Sequence, residues 1–296
     1  MRKLKVAIKR EQKQVYLIMP SESNFTKSEA LSKIRLIMYA LVTGASQGIG
    51  LQYATQLAAK YKYDLVLVSN QEKEIHQVAE QIKDQYGVKT VAVYQDLSTE
   101  NAANELYQFC KDGGYEIEVL INNAGVFYFN DLVKTSEARV NLMLHLHIRT
   151  VTQLCRLFGG DMRERGKGYI LNMSSMSAWM AMPGIQCYNA SKAYILNFSR
   201  SMWYEMKKYG VGVTAICPGA IDTGLYGLAP NLRKLAVALS VSMPPEKLVK
   251  KALKKMFKKK KQAMPGFLNH LFVPLIKHLP DWVVFTVMKR IDCFKK

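Results

Sequence analysis

Two kinds of apolar pattern alternate along this chain, and that alternation constrains its fold more than any other feature. Six short runs are apolar along most of their length: MYALV (38–42), DLVLVS (64–69), TVAVYQD (90–96), EVLINNAG (118–125), GYILNMSS (168–175) and GVTAICPG (212–219). Between them apolar residues recur at helical spacing, as at Leu51, Ala54, Leu57 and Ala58, or at Ile75, Val78, Ala79 and Ile82. A strand apolar on both faces must be covered on both faces, and helices placed between successive parallel strands do this. The pattern predicts an α/β fold with an open, doubly wound parallel sheet.

Length and charge set the bounds of that domain. With 49% apolar side chains, 296 residues supply a large core and exclude a disordered chain or a disulfide scaffold. The net charge of +19 points at first to a nucleic-acid or membrane partner. Its distribution is uneven: residues 1–37 carry +6, residues 38–245 only +2, and residues 246–296 carry +11. We expect an N-terminal appendage (1–37), a nearly neutral α/β domain with its substrate loop (38–245), and a basic helical C-terminal extension (246–296). The cysteines Cys110, Cys155, Cys187, Cys217 and Cys293 are irregularly spaced without interleaved histidines. Free thiols, no metal and a cytoplasmic location are expected. The N-terminal run VYLIMP is too short for a secretory signal.

The first run breaks into Thr43-Gly44-Ala45-Ser46-Gln47-Gly48-Ile49-Gly50. Glycines at a strand-to-helix turn let the backbone approach a pyrophosphate, which the helix N-terminus holds through its N–H groups and dipole. Gly44, Ser46, Gln47, Gly48, Ile49 and Gly50 are therefore candidate dinucleotide contacts in a Rossmann-type sheet. The second run ends at Ser69-Asn70, where an NAD-selective site places a carboxylate for the ribose 2'-hydroxyl. A hydroxyl, an amide and the nearby Lys73 suit a 2'-phosphate better. NADP is the expected cofactor, with NAD as the alternative.

Ser175 precedes Tyr188 by thirteen residues, and Lys192 follows one helical turn later. On a helix, residues four apart share a face. A phenol is a weak acid at neutral pH, and a neighbouring ammonium makes it a better one by favouring phenolate. Tyr188 could then deliver a proton to a carbonyl oxygen while a hydride reaches the carbon, with Ser175 holding the same oxygen. Ser174 is disfavoured by the thirteen-residue spacing. Together with Thr43 to Gly50, Asn122-Asn123-Ala124-Gly125 and Pro218-Gly219, this set resembles the short-chain dehydrogenase/reductase family over about residues 38–225.

The resemblance implies further roles. Asp96 and Leu97 would contact the adenine, although Asp96 could instead cap a helix with Ser98. Asn123, Ala124 and Gly125 would support sheet and cofactor, Lys192 the nicotinamide ribose, and Pro218, Gly219, Ile221 and Thr223 the carboxamide. The family adds a relay asparagine about twenty-five residues beyond the first Asn of N-N-A-G, which falls on His147; Asn141 lies two turns too early. His147 is thus a candidate for the proton relay, since imidazole can shuttle a proton or hold a water. A histidine simply satisfied inside a helix is the other reading. Two or four copies per assembly are implied as well.

Segments 176–183, 225–230 and 235–239 carry few charges, so an apolar substrate is expected, such as a keto-lipid like 3-ketosphinganine, a ketoacyl thioester or a steroid. In the extension, residues 246–257 form a basic amphipathic pattern, and the following apolar stretch is broken by Pro274, Lys277, Pro280 and Asp281. Spanning a bilayer is not expected. Contact with the inner face of a membrane and packing as a helix with a solvated lysine face stay open as alternatives. Nucleic acid is not expected as a partner. The functional expectation is an NADP-preferring oxidoreductase interconverting a ketone and a secondary alcohol. Its rival is a membrane-surface dinucleotide-binding or scaffolding protein with little catalysis.

Overall fold

Each apolar run becomes a strand, shortened where its polar C-terminal residues leave the sheet for the loops above it. The computed structural model describes residues 38–221, 242–266, 273 and 280–289, all within a unit spanning Ile37–Lys296. The strands β1 (Tyr39–Thr43), β2 (Asp64–Ser69), β3 (Thr90–Tyr94), β4 (Ile117–Asn122), β5 (Gly168–Met173) and β6 (Val211–Ile216) pair in the order 3-2-1-4-5-6. Every pairing is parallel. Two short strands, β7 (Ala220–Ile221) and β8 (Ser242–Met243), form a separate pair, and β9 (Gln262–Ala263) adds a seventh strand beside β6. These two-residue strands leave no periodic trace in the sequence.

The helices are α1 (Gly48–Tyr61), α2 (Glu72–Tyr86), α3 (Ala102–Asp112), α4 (Glu137–Leu144), α5 (Val151–Arg165), α6 (Gln186–Lys207), α7 (Pro245–Phe257) and α8 (Asp281–Met288). Between α4 and α5 the chain stays helical through a π-type stretch, His145–Thr150. Alternate residues of each strand feed opposite cores. Ala40, Val42, Leu65 and Leu67 pack with Ala54, Leu57 and Ala58 of α1 and Ile75, Val78, Ala79 and Ile82 of α2. Leu41, Val66, Val68 and Leu120 pack on the other side with Leu106, Leu154 and Phe158. The chain runs outward from β1 to β3 and returns to β4 on the far side of β1. The order in which strands are added thus reverses between β1 and β4, where the crevice of such a sheet opens at the strands' C-terminal ends.

The basic amphipathic pattern of the extension is resolved by α7. Leu248, Val249, Ala252, Leu253 and Met256 are fully buried in the first core, and the Gln56 amide donates to the Glu246 carbonyl at 2.9 Å. Phe257 stacks among Tyr61, Tyr63 and Tyr169. Each of the larger side chains gains about 2 kcal/mol by burial, and inserting the same face into lipid would add nothing. For this helix, packing therefore prevails over insertion, and its lysines face solvent. Among the described residues no helix is long and apolar enough to cross a membrane. Cys110, Cys155 and Cys217 are buried free thiols. We expect Leu253→Ala to destabilise the protein by about 3 kcal/mol, as measured by denaturant unfolding. A loss below about 1 kcal/mol would mean that α7 lies loosely on the sheet.

Candidate active site

The crevice is built by tying the ends of β1 and β4 together. The Thr43 hydroxyl donates to the Ile121 carbonyl at 3.2 Å and accepts from the backbone N–H groups of Asn123 and Ala124, both at 3.0 Å. The Asn123 amide donates in return to the carbonyls of Thr43 (3.1 Å) and Gly44 (3.3 Å). Gly44 and Gly48 have positive φ angles of 64° and 57°, which only glycine adopts without strain. A Cβ on Gly44 would also lie 2.9 Å from the Ala124 Cα. Gln47 makes no side-chain cap on α1, so its first-turn N–H groups stay open toward an anion.

A cavity of about 470 Å³ runs along these strand ends. Gly44, Ser46, Gln47, Gly48 and Ile49 line it, with Ser69, Asn70, Asp96, Leu97, Asn123, Ala124 and Gly125 on one flank. His147, Ser175, Tyr188, Lys192, Pro218, Gly219 and Ile221 line the other. Gly50 stands apart: a Cβ there would run into the Gly44 carbonyl, so its glycine serves helix-to-turn packing and it does not line the cavity. Thr223 and segments 225–230 and 235–239 lie outside the described residues.

At the end of β2 the Ser69 hydroxyl donates to Ser46 Oγ (2.9 Å), which donates to Gln71 Oε1 (2.6 Å). The Gln71 N–H closes the ring onto Ser69 Oγ at 3.1 Å. Among the described lining residues the only carboxylate is Asp96, whose Oδ1 accepts from the Ser98 N–H and hydroxyl at 2.9 and 2.7 Å. Helix α3 starts later, at Ala102, so Asp96 holds a local turn and is not that helix's cap. Gln71 and Gln95 line the cavity without any motif to announce them.

Ser175 follows β5 in extended conformation, its Oγ accepting from the Ser177 N–H at 3.1 Å. The Ser174 hydroxyl is engaged elsewhere, donating to the Lys192 carbonyl at 2.7 Å. Tyr188 and Lys192 lie one turn apart at the start of α6, both 6% exposed. The Lys192 Nζ sits 5.4 Å from the Tyr188 ring centre and donates to the Met173 carbonyl at 2.9 Å. Burial lowers its ammonium to about 8. Phe127 meets the Tyr188 ring edge-on at 5.0 Å, and Val126 and Tyr128 join it in an apolar wall. That wall comes from Val126, Phe127 and Tyr128, which no motif announces. An apolar run directly after a strand end was its available signal.

A twisted parallel sheet, a glycine turn at its switch point and a serine, tyrosine and lysine in one crevice define a dinucleotide-dependent oxidoreductase. A family profile described as short chain dehydrogenase matches residues 38–230, and the chain belongs to that family. The human very-long-chain 3-oxoacyl-CoA reductase is 30% identical over 262 residues, covering 86% of this chain and 79% of that protein. The Anas platyrhynchos protein of the same name is 34% identical, covering 73% and 67%. The Gallus gallus hydroxysteroid dehydrogenase-like protein 1 is 30% identical, covering 83% and 73%. A short-chain dehydrogenase from Sphingobium yanoikuyae in complex with NADPH superposes with a TM-score of 0.70 at 25% identity, covering 82% of this chain and 96% of that one. We expect Gly44→Ala to lower stability by about 1–3 kcal/mol through its left-handed backbone, read as a fall in melting temperature.

Proposed function

We propose that this enzyme reduces the ketone of an apolar acyl substrate of the 3-oxoacyl thioester class, with NADP preferred over NAD. The observation that carries the reading is the convergence of Ser175, Tyr188 and Lys192 on one crevice beside the glycine turn. The named activity of the similar reductases supports the thioester class, and Val126 in the cavity lining, with Phe127 and Tyr128 packed beside Tyr188, supports an apolar chain. The glycine turn and the open first turn of α1 fit a pyrophosphate, and a lining that includes the turn, the end of β2 and Tyr188 fits a dinucleotide. When bound, the nicotinamide supplies the hydride. Ser175 donates its hydroxyl hydrogen to the substrate oxygen, because its own Oγ already accepts from Ser177. Tyr188 transfers its proton to that oxygen as it gains charge, and the Lys192 ammonium stabilises the phenolate left behind. The neutral Ser46, Ser69 and Gln71 ring beside Asn70 supports a 2'-phosphate, with no carboxylate at the β2 end to repel it.

A membrane-surface contact is a second, compatible reading. Lys247, Lys250, Lys251, Lys254, Lys255 and Lys258 are exposed on α7, and Trp282 and Phe285 of α8 are 70% and 61% exposed. With the apolar face of α7 buried, this contact would be electrostatic adsorption to anionic lipid at that helix, weakening as salt rises. Flotation with anionic but not neutral vesicles at low salt is expected.

Tyr188→Phe should lower kcat/KM for a long-chain 3-oxoacyl thioester by about 10²–10⁴-fold with NADPH binding unchanged; full activity would overturn the assignment. Reduction needs the Lys192 charge, which is present below its lowered value and lost above it. The reductive kcat/KM should therefore fall as pH rises through about 8. Lys192→Arg stays charged and should remove that limb even at a lower plateau. A profile flat to about pH 10 would count against the role of the ammonium. Asn70→Arg should raise the NADPH to NADH ratio of kcat/KM, measured with both cofactors.

A further inference from the structure

A single buried side chain joins the segment leaving β4 to the first turns of α6. His147, in the π-helical stretch between α4 and α5, has no exposed surface. Its Nε2 accepts a hydrogen bond from the Val126 N–H at 3.0 Å. A nitrogen that accepts from an N–H carries no proton, so in the neutral ring the proton sits on Nδ1. Nδ1 lies 2.9 Å from Ser191 Oγ and so donates to it, and the Ser191 hydroxyl donates onward to the Tyr188 carbonyl at 2.8 Å. Both nitrogens of the ring are engaged by the protein, so the imidazole itself has no position left for a water. A second ring proton would set Nε2–H against the Val126 N–H and break that bond. Burial, and then the charge of Lys192, also hold the ring well below the usual histidine range. Tyr188, with 5.9 Å between ring centroids, and Lys192 are the titratable groups facing the ring, both from α6.

We propose that His147 is a positioning residue: a neutral brace that locks Val126, in the wall of the crevice, to the turn of α6 that presents Tyr188 and Lys192. This role rests on the reading of Tyr188 and Lys192 given above, and it replaces the proton relay expected for this position. An asparagine at this position would end about where Nδ1 lies, one bond short of the ring position that meets the Val126 N–H. Imidazole reaches both Ser191 and Val126. Gly125 completes the fit, since a Cβ there would lie 2.9 Å from Nε2. The histidine and this glycine are therefore coupled.

Glutamine ends near the Nε2 position, so it can keep the bond from the Val126 N–H while giving up the one to Ser191, and it has no titratable group. We expect His147→Gln to leave the pH profile unchanged and to lose less kcat than His147→Ala, which loses about ten- to hundredfold. Gly125→Ala should cost less, in melting temperature and NADPH affinity, in a His147→Ala background than alone. In protein labelled with ¹⁵N-histidine, the signal absent from His147→Gln should stay in the Nδ1–H form between about pH 5 and 8. A ring that titrates in that range, or a glutamine variant as impaired as the alanine one with a displaced pH limb, would overturn the brace. Absence of ketone reduction by the wild-type enzyme would count against the functional reading alone, because the tautomer is read without turnover.

Discussion

Everything at the mouth of the crevice depends on how Thr43 and Asn123 bind the ends of β1 and β4. The sheet reverses its order there, so no further strand lies between the two loops to hold them. The Thr43 hydroxyl bridges one strand's carbonyl and the other's two N–H groups, while the Asn123 amide returns two bonds to the glycine turn. These bonds satisfy backbone groups that a spreading sheet would orphan, and unpaired buried groups are costly. They hold Gly44 against Ala124 closely enough that no side chain fits. A second polar seam continues the tie: Asn122 donates to Asn172, and Asn172 donates to Ser199 of α6, at 2.8 and 2.9 Å. The helix bearing Tyr188 and Lys192 is thereby registered to the same strand ends.

Burial then sets the chemistry of the site. Lys192 is almost fully buried, which weakens its hold on a proton, and its ammonium donates to the Met173 carbonyl. A lysine near neutrality responds to charge placed beside it, the condition a proton-transfer site needs. His147 experiences the same burial with the opposite use of its polar atoms: each faces a protein partner. Ser174 and Ser175 divide likewise: the Ser174 hydroxyl is bonded into α6, whereas Ser175 Oγ accepts from the Ser177 N–H and leaves its own hydrogen to donate.

Much of this was legible in the sequence. The six strands, the two helical faces and the glycine turn follow from periodicity and from glycine's backbone freedom, which are local properties. The spacing from Ser175 to Tyr188 and Lys192 was sufficient to select those residues, and all three reach one cavity. Gly50 shows what a letter leaves open: a glycine required for packing, as this one is against the Gly44 carbonyl, reads the same as one required for a ligand. The Phe127 wall was missed because an apolar run after a strand gives no sign of the tyrosine it will meet sixty-one residues later.

The charge of the extension shows the same division. Its lysines and apolar pairs determine an amphipathic helix wherever it lands, and a net +11 over residues 246–296 follows from composition alone. Whether the apolar face meets a core or a lipid is a matter of what lies opposite, and Leu248, Val249 and Leu253 meet α1 and the sheet. By itself the sequence determined the alternation, the phosphate-type turn and the order of the polar residues, because each is written within a few residues of chain. Only the tertiary structure decided what both nitrogens of His147 hold and which face of α7 is dry. Those depend on contacts between segments far apart in sequence, and spacing carries no record of them.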